Sequence, residues 1–344
     1  MKDALKSIPH WPAALLLAFL FLVGCSQQKN DVIVSTAGMT MGTTYSVKWV
    51  DSDDNRVTDI HNKIETLLKA VNQSMSTYID DSELSTFNKM PAESTITASD
   101  GLFHVLSLAQ QISQHSDGAF DVTVGPLVNL WGFGPDGRIV KAPKEDEINN
   151  LRNRIGYEKL ELIPESQQVT KHANTYVDLS AIAKGYGVDA VAQLLEEQGI
   201  QRYLVEIGGE LRASGLKPNE ETWRIAIESP AGAERSVQRI VHVSDTGIAT
   251  SGDYRNYFEE EGIRYSHTID PSTGHPITHK LASVTVLSAT CAEADALATA
   301  FTVMGEEKAM AYAKAHKIDA FFIVKSENGF KEMMTPGFEA RLVK

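Results

Sequence analysis

The chain has 344 residues, 42% of them hydrophobic and 22% charged, which suits one large globular unit or two intimate halves. Its formal net charge is −13, and no basic face is visible. That composition argues against a nucleic-acid partner, because duplex binders present clustered Lys and Arg.

The first segment is a different material from the rest. Lys2 and Lys6 precede an apolar run from Ala13 to Val23, too short to span a bilayer comfortably but of signal-peptide length. It ends in Leu22-Val23-Gly24-Cys25, which looks like a bacterial lipobox, where the cysteine is acylated and becomes the mature N-terminus. The expected division is a lipoprotein signal peptide at 1–24, a lipidated tether at 25–35 and one folded domain at 36–344. An uncleaved N-terminal anchor helix is the alternative. With Cys25 lipidated, Cys291 has no partner, and its alanine-rich surroundings suggest buried packing.

Beyond the tether, Thr43–Val50 alternates as a strand does, and Val57–Met75 carries apolar residues at helical spacing (Ile60, Ile64, Leu67, Leu68, Val71, Met75). Ser99 reads as the N-cap of a helix reaching His115, and Val122–Gly137 reads as loop. A short helix is expected within Pro143–Ile155, then strands at Lys159–Ile163, Gln168–Thr170 and Thr175–Leu179. Ala181–Gln198 is a helix stopped by Gly199. Strands follow at Arg202–Ile207, Leu211–Ser214, Trp223–Glu228, Arg239–Val243, Gly247–Thr250, Arg264–Ile269 and Ala282–Leu287. A helix at Ala292–Met304 stops at Gly305, and a helix at Glu306–His316 and a strand at Ala320–Val324 finish the core. Strands in hairpin runs and strands between helices together indicate an α/β (mixed α+β) fold, a single catalytic unit of mixed sheets packed with helices.

Five segments carry chemistry. In Asp178–Asp189 a strand runs into a helix whose first turn is small and holds Lys184; a helix N-terminus with a nearby cation suits a phosphate. The bland alternative is a packed helix with a solvated lysine. In Thr290–Phe301, Asp295 and Thr299 are four apart on one helix face and offer oxygen, the donor Mg²⁺ prefers; a small-residue packing helix is the alternative. In Tyr265–Pro276, His267 enters an Asp-Pro-Ser-Thr-Gly turn, either as a base near neutral pH or as a structural histidine. Val205–Glu210 ends a strand in Gly208-Gly209, open to close backbone approach or to a bulge. Met39–Tyr45 and Ser76-Thr77-Tyr78 supply surface for a flat ring, or simply core.

Taken in order, these segments resemble the ApbE-type FAD:protein FMN transferases. The resemblance also rests on Met75-Ser76-Thr77-Tyr78, Gly118–Leu127, Trp131–Gly134 and Ser251-Gly252-Asp253-Tyr254, and it spans nearly the whole mature chain. It implies an FAD cleft between two halves of the domain. Met41, Tyr78, Ala119, Phe120, Asp121, Asp178, Lys184 and the backbone near Ile269 would contact FAD. Asp295 and Thr299, with carbonyls of Ala181 and Ala298, would hold Mg²⁺, Asp295 counting also as catalytic. His267 matches the family's proposed base.

The implied reaction moves FMN from FAD to a threonine hydroxyl of an acceptor protein, forming a phosphodiester and releasing AMP. The implied acceptor is a subunit of a sodium- or proton-coupled redox complex. The implied location is the inner membrane, lipid-anchored on the periplasmic side, although Ser26 also suits outer-membrane sorting. Two rival readings share these motifs: a periplasmic FAD pyrophosphatase giving FMN and AMP, and a non-catalytic FAD-binding lipoprotein.

Overall fold

The computed structural model describes residues 31–52, 54–134, 141–231, 236–252, 257–260 and 263–343. The expected signal peptide, the lipid site Cys25 and the pair Asp253-Tyr254 lie outside these residues. The described chain opens with a hairpin of β1 (Val32–Thr40) and β2 (Thr43–Asp51). Met41 and Gly42 close it at φ 50° and 71°, and two successive positive φ angles make the tight turn whose twist matches the flanking strands. β1 corrects the expected tether at 25–35: from Val32 onward the chain is paired, in register from Val32↔Asp51 to Thr40↔Thr43. As an edge strand with Val32 and Ile33 exposed, it lacks the buried alternation that marks a strand in sequence.

Helix α1 (Val57–Met75) buries Ile60, Ile64, Leu68, Val71 and Met75 along one stripe, as its spacing requires. Next come α2 (Glu83–Lys89), β3 (Ser94–Thr97) and α3 (Asp100–His115). Ser99 stands at the N-cap of α3 with extended backbone, but its hydroxyl donates to Glu83 at 2.6 Å and does not cap. The expected loop at 122–137 contains a short helix, α4 (Gly125–Leu130), started by Pro126 in its first turn. Then follow α5 (Glu145–Arg152), β4 (Leu160–Ile163) and β5 (Gln168–Lys171).

No strand forms at Thr175–Leu179. The Asn88 side-chain amide takes the place of a neighbouring strand: it donates to the Val177 carbonyl and accepts from the Val177 N–H, both at 2.8 Å. Beyond it run α6 (Ala183–Glu197), β6 (Tyr203–Ile207), β7 (Glu210–Ser214), β8 (Trp223–Glu228), β9 (Val237–Val243) and β10 (Thr246–Gly252). The chain continues through β11 (Tyr257–Glu260), β12 (Ile263–Ser266), β13 (Leu281–Ser288) and α7 (Cys291–Ala315). It finishes with β14 (Asp319–Ser326), β15 (Gly329–Met334) and α8 (Pro336–Glu339). Gly305 breaks α7 at φ 76° and ψ 170°, where the sequence places one helix end and the next start.

The principal sheet has the order β1-β2-β6-β7-β10-β13-β14-β15, and its ladders are antiparallel. Both faces are covered, and β14 shows how. Phe322 and Val324 join a core with Phe301 and Ala298 of α7, while Phe321 and Ile323 face Trp223, Val241 and Phe338 on the other side. Period-2 alternation therefore feeds two cores, a helical layer and a layer made by the β8–β9 hairpin with α8. The α/β class expected from the sequence is the observed one.

Candidate active site

Helices α6 and α7 cross in close contact, and this crossing builds the site. A Cβ on Gly185 would lie 2.5 Å from the Cys291 carbonyl oxygen and 2.7 Å from the Ala292 Cα, so only glycine allows the approach. The Gly185 N–H donates to Asp295 Oδ2 at 3.1 Å across the contact. Asp189, one turn further along α6, accepts the N–H groups of Cys291 at 2.9 Å and Ala292 at 2.8 Å and pairs with Arg212 at 3.0 Å. Cys291 itself is buried, as its surroundings suggest.

Two cavities adjoin there. One, of about 310 Å³, lies over the start of α6 and the second turn of α7; the other, of about 620 Å³, opens toward α1. Both are lined by Ser180 and Lys184, so these residues stand at the junction.

The first cavity collects most of the sequence-derived residues. Ala119, Phe120 and Asp121 form one wall. Asp178, Ala181 and Lys184 lead into α6. His267 and Ile269 come from the segment after β12, and Asp295 and Thr299 from α7. The second cavity is bordered by Met41 from the β1–β2 turn and by Tyr78, which is 71% exposed at its rim. Ala298 lines neither cavity; its carbonyl accepts the Thr302 hydroxyl at 2.8 Å.

Several of these side chains also hold the walls in place. Asp121 Oδ1 accepts the N–H and hydroxyl of Thr123, and Oδ2 accepts the Tyr157 N–H. Burial pushes the Asp121 carboxyl upward against those donors. Asp178 Oδ1 accepts the Ser180 N–H at 2.9 Å. The Asp-Pro-Ser-Thr-Gly turn forms as its residues require: Gly274, at φ 79°, returns its N–H to the Asp270 carbonyl at 2.7 Å, and Trp131 Nε1 donates to the Gly274 carbonyl. His267 enters that turn and meets the Phe133 ring edge-on, with centroids 6.3 Å apart.

Glu210 is the site residue that sequence reasoning does not single out. It opens β7 directly after the two-glycine turn, and it is 5% exposed. Its Oε1 lies 3.0 Å from Lys184 Nζ, which is 3.7 Å from Asp295 Oδ2. Its Oε2 is buried without a hydrogen-bond partner. Burial pushes the Glu210 carboxyl up to about 7, Asp295 adding to the rise and Lys184 opposing it. Burial disfavours the Lys184 charge, but Asp295 and Glu210 outweigh it and hold the ammonium above its usual range. The sequence signal is the Gly-Gly-Glu run itself: a two-residue hairpin places the glutamate opposite Ile207, beside Lys184 of α6.

The donors present fit a hard cation. Asp295 offers a carboxylate, Thr299 a hydroxyl and Ala181 a carbonyl, all oxygen, and Glu210, which lines the same cavity, has one carboxyl oxygen without a hydrogen-bond partner. Among the described residues no three His, Cys, Asp or Glu side chains form a metal cluster.

Known proteins match this chain over most of its length. The ApbE family model matches residues 41–322. A protein from Vibrio cholerae named FAD:protein FMN transferase is 47% identical over 339 residues, covering 97% of this chain and 99% of its own. One of the same name from Haemophilus influenzae is 44% identical over 327 residues, covering 93% and 94%. The solved structure of the flavin transferase ApbE from Vibrio cholerae superposes with a TM-score of 0.83 at 46% identity, over 91% of this chain and 100% of that one. With the family model matched over most of its length and relatives this similar along nearly all of it, the chain belongs to the ApbE family.

Proposed function

We propose that this chain is an FAD:protein FMN transferase that moves FMN to a threonine hydroxyl of an acceptor protein, requires Mg²⁺ and releases AMP. The observation that carries the reading is the meeting of two cavities at Ser180 and Lys184. FAD has two flat heads joined by a pyrophosphate, and a half-buried cation between two chambers suits that shape. The names of the Vibrio and Haemophilus relatives support the same activity.

In this reading Met41 and Tyr78 contact FAD on one side of the junction. Ala119, Phe120, Asp121, Asp178 and Ile269 contact it on the other, and Lys184 faces the pyrophosphate. Asp295 and Thr299, with carbonyls of Ala181 and Ala298, would hold Mg²⁺, whose contribution is to neutralise charge on the phosphates. His267 takes the proton from the acceptor threonine. The freed oxygen attacks the phosphorus on the FMN side, the bond to the AMP oxygen breaks, and AMP leaves with the electron pair. Placement and charge stabilisation supply most of the acceleration, because the protein forms no covalent bond of its own.

The proposal extends to location. The acceptor is an exported subunit of a sodium- or proton-coupled redox complex, and the chain is tethered through lipidated Cys25 on the periplasmic side of the inner membrane. Among the described residues no helix is long and apolar enough to cross a membrane. Cys25→Ala should release the chain from membranes, and persistent pelleting of that variant would remove the tether from the account.

The central test incubates the full-length chain with FAD, Mg²⁺ and a threonine-bearing acceptor domain, and weighs the acceptor intact. A Mg²⁺-dependent gain of one FMN phosphoester is expected. Free FMN and AMP beside an unmodified acceptor would replace the reading with a pyrophosphatase, and unconverted FAD would replace it with a carrier.

A further inference from the structure

We infer that Glu210 is a positioning residue: its carboxylate draws the Lys184 ammonium off Asp295, so that Asp295 can take a divalent cation while Lys184 faces a bound phosphate. The inference rests on the Mg²⁺ and FAD reading above and adds to it a residue that belongs to neither expected ligand set.

The geometry has three parts. Lys184 Nζ lies 3.0 Å from Glu210 Oε1 and 3.7 Å from Asp295 Oδ2, so one ammonium serves two carboxylates. Both carboxylates are 5% exposed, and Glu210 Oε2 has no hydrogen-bond partner. The lysine stem runs along the β6–β7 turn: a Cβ on Gly208 would lie 3.5 Å from Lys184 Cδ. The stem is therefore supported while the head group can shift between its two partners.

A cation on Asp295 and the Lys184 ammonium repel at this separation, more strongly in a buried site than in water. Metal binding thus requires the ammonium to move away. Glu210 makes that movement easy, because Lys184 keeps a carboxylate at hydrogen-bond distance after leaving Asp295. Without Glu210 the ammonium would have Asp295 as its remaining buried carboxylate and would compete with the metal for it. With Glu210, metal on Asp295 and pyrophosphate on Lys184 favour one another, since each arrangement separates Lys184 from the cation.

The test is a calorimetric Mg²⁺ titration of the purified full-length chain without flavin, at about pH 8, where free carboxylates are ionised. It compares wild type, Glu210→Gln, Lys184→Met and the double variant. Glu210→Gln should weaken Mg²⁺ about tenfold, a common size for coupling between sites. Lys184→Met should tighten it. The double variant should bind Mg²⁺ within about threefold of Lys184→Met, because Glu210 has nothing to position once the ammonium is gone. Unchanged affinity in Glu210→Gln overturns the inference. A double variant no tighter than wild type overturns it too, by making the Glu210 charge act on the metal directly. Should Glu210→Gln fail to fold, Lys184→Met alone decides, and unchanged or weaker binding overturns the inference. A wild-type chain that binds no Mg²⁺ sinks the metal reading together with this one, whereas binding by wild type with any other overturning result sinks this one alone.

Discussion

The Asp189 carboxylate receives the Cys291 N–H at 2.9 Å, joining the middle of α6 to the first turn of the helix that carries Asp295 and Thr299. It also takes the Ala292 N–H and the Arg212 guanidinium, so one side chain satisfies two open helix donors and balances a half-buried cation. Asp189→Asn keeps the shape but loses the charge. We predict a loss of about 2 kcal/mol in unfolding free energy, the scale of a strong helix cap with a charge-assisted bond. Urea unfolding of the two proteins checks it, and equal midpoints would show that Asp189 does not anchor α7.

At Gly185 two effects of alanine oppose each other. Helix propensity favours alanine over glycine by about 1 kcal/mol. The new methyl would stand 2.5 Å from a backbone carbonyl oxygen of α7, which has no flexible side chain to yield. Overpacking of this kind costs about 1–3 kcal/mol, so the clash should win. Gly185→Ala is expected to be less stable than wild type and to bind Mg²⁺ more weakly, because moving α6 from α7 also moves the N–H that holds Asp295. A more stable variant would mean that the helices separate freely at this point.

Asp295 and Thr299 are legible in the sequence because helix geometry is local: four residues apart is one face, whatever the tertiary context. Lys184 is legible for the same reason, as the cation in the first turn of a helix entered from an extended segment. Glu210 is not, because its importance comes from burial against Lys184 and Asp295, groups far from it along the chain. The fold divides likewise. A strand buried on both faces, such as β14 through Ala320–Val324, appears as an apolar run. The edge strand β1 and the extended stretch around Val177 do not follow the pattern, since one is exposed and the other takes its hydrogen bonds from a side chain.

The raised Glu210 carboxyl implies a pH signature in the metal-free protein. The folded state holds this proton up to about 7, while the ordinary glutamate value is 4.5, so the folded form binds more protons between those limits. Its favourable contribution is complete below the unfolded value and is lost as pH rises through the folded one. Glu210→Gln, which cannot ionise, should therefore gain stability relative to wild type from pH 5 to 8, by about 3 kcal/mol at most. Unfolding curves in the presence of a chelator, compared across that range, measure the difference. A flat difference would show that Glu210 is already ionised in the folded protein at the acid end.

Lys184 offers the clearest separation between a phosphate-binding and a purely structural role. Removing it takes away a charge-assisted partner for a pyrophosphate and leaves Glu210 and Asp295 facing the same cavity without a counter-charge. Both effects act against an anionic ligand, while neither opposes a neutral flavin. With metal chelated, Lys184→Ala should weaken FAD by about 2 kcal/mol, the scale of a hydrogen bond to a charged group. Riboflavin, which carries no phosphate, should bind the variant and wild type alike. Calorimetry with the two ligands supplies the comparison. A parallel loss for both would mean that the substitution deforms the cavity as a whole, and an unchanged FAD affinity would move the pyrophosphate away from the junction of the two chambers.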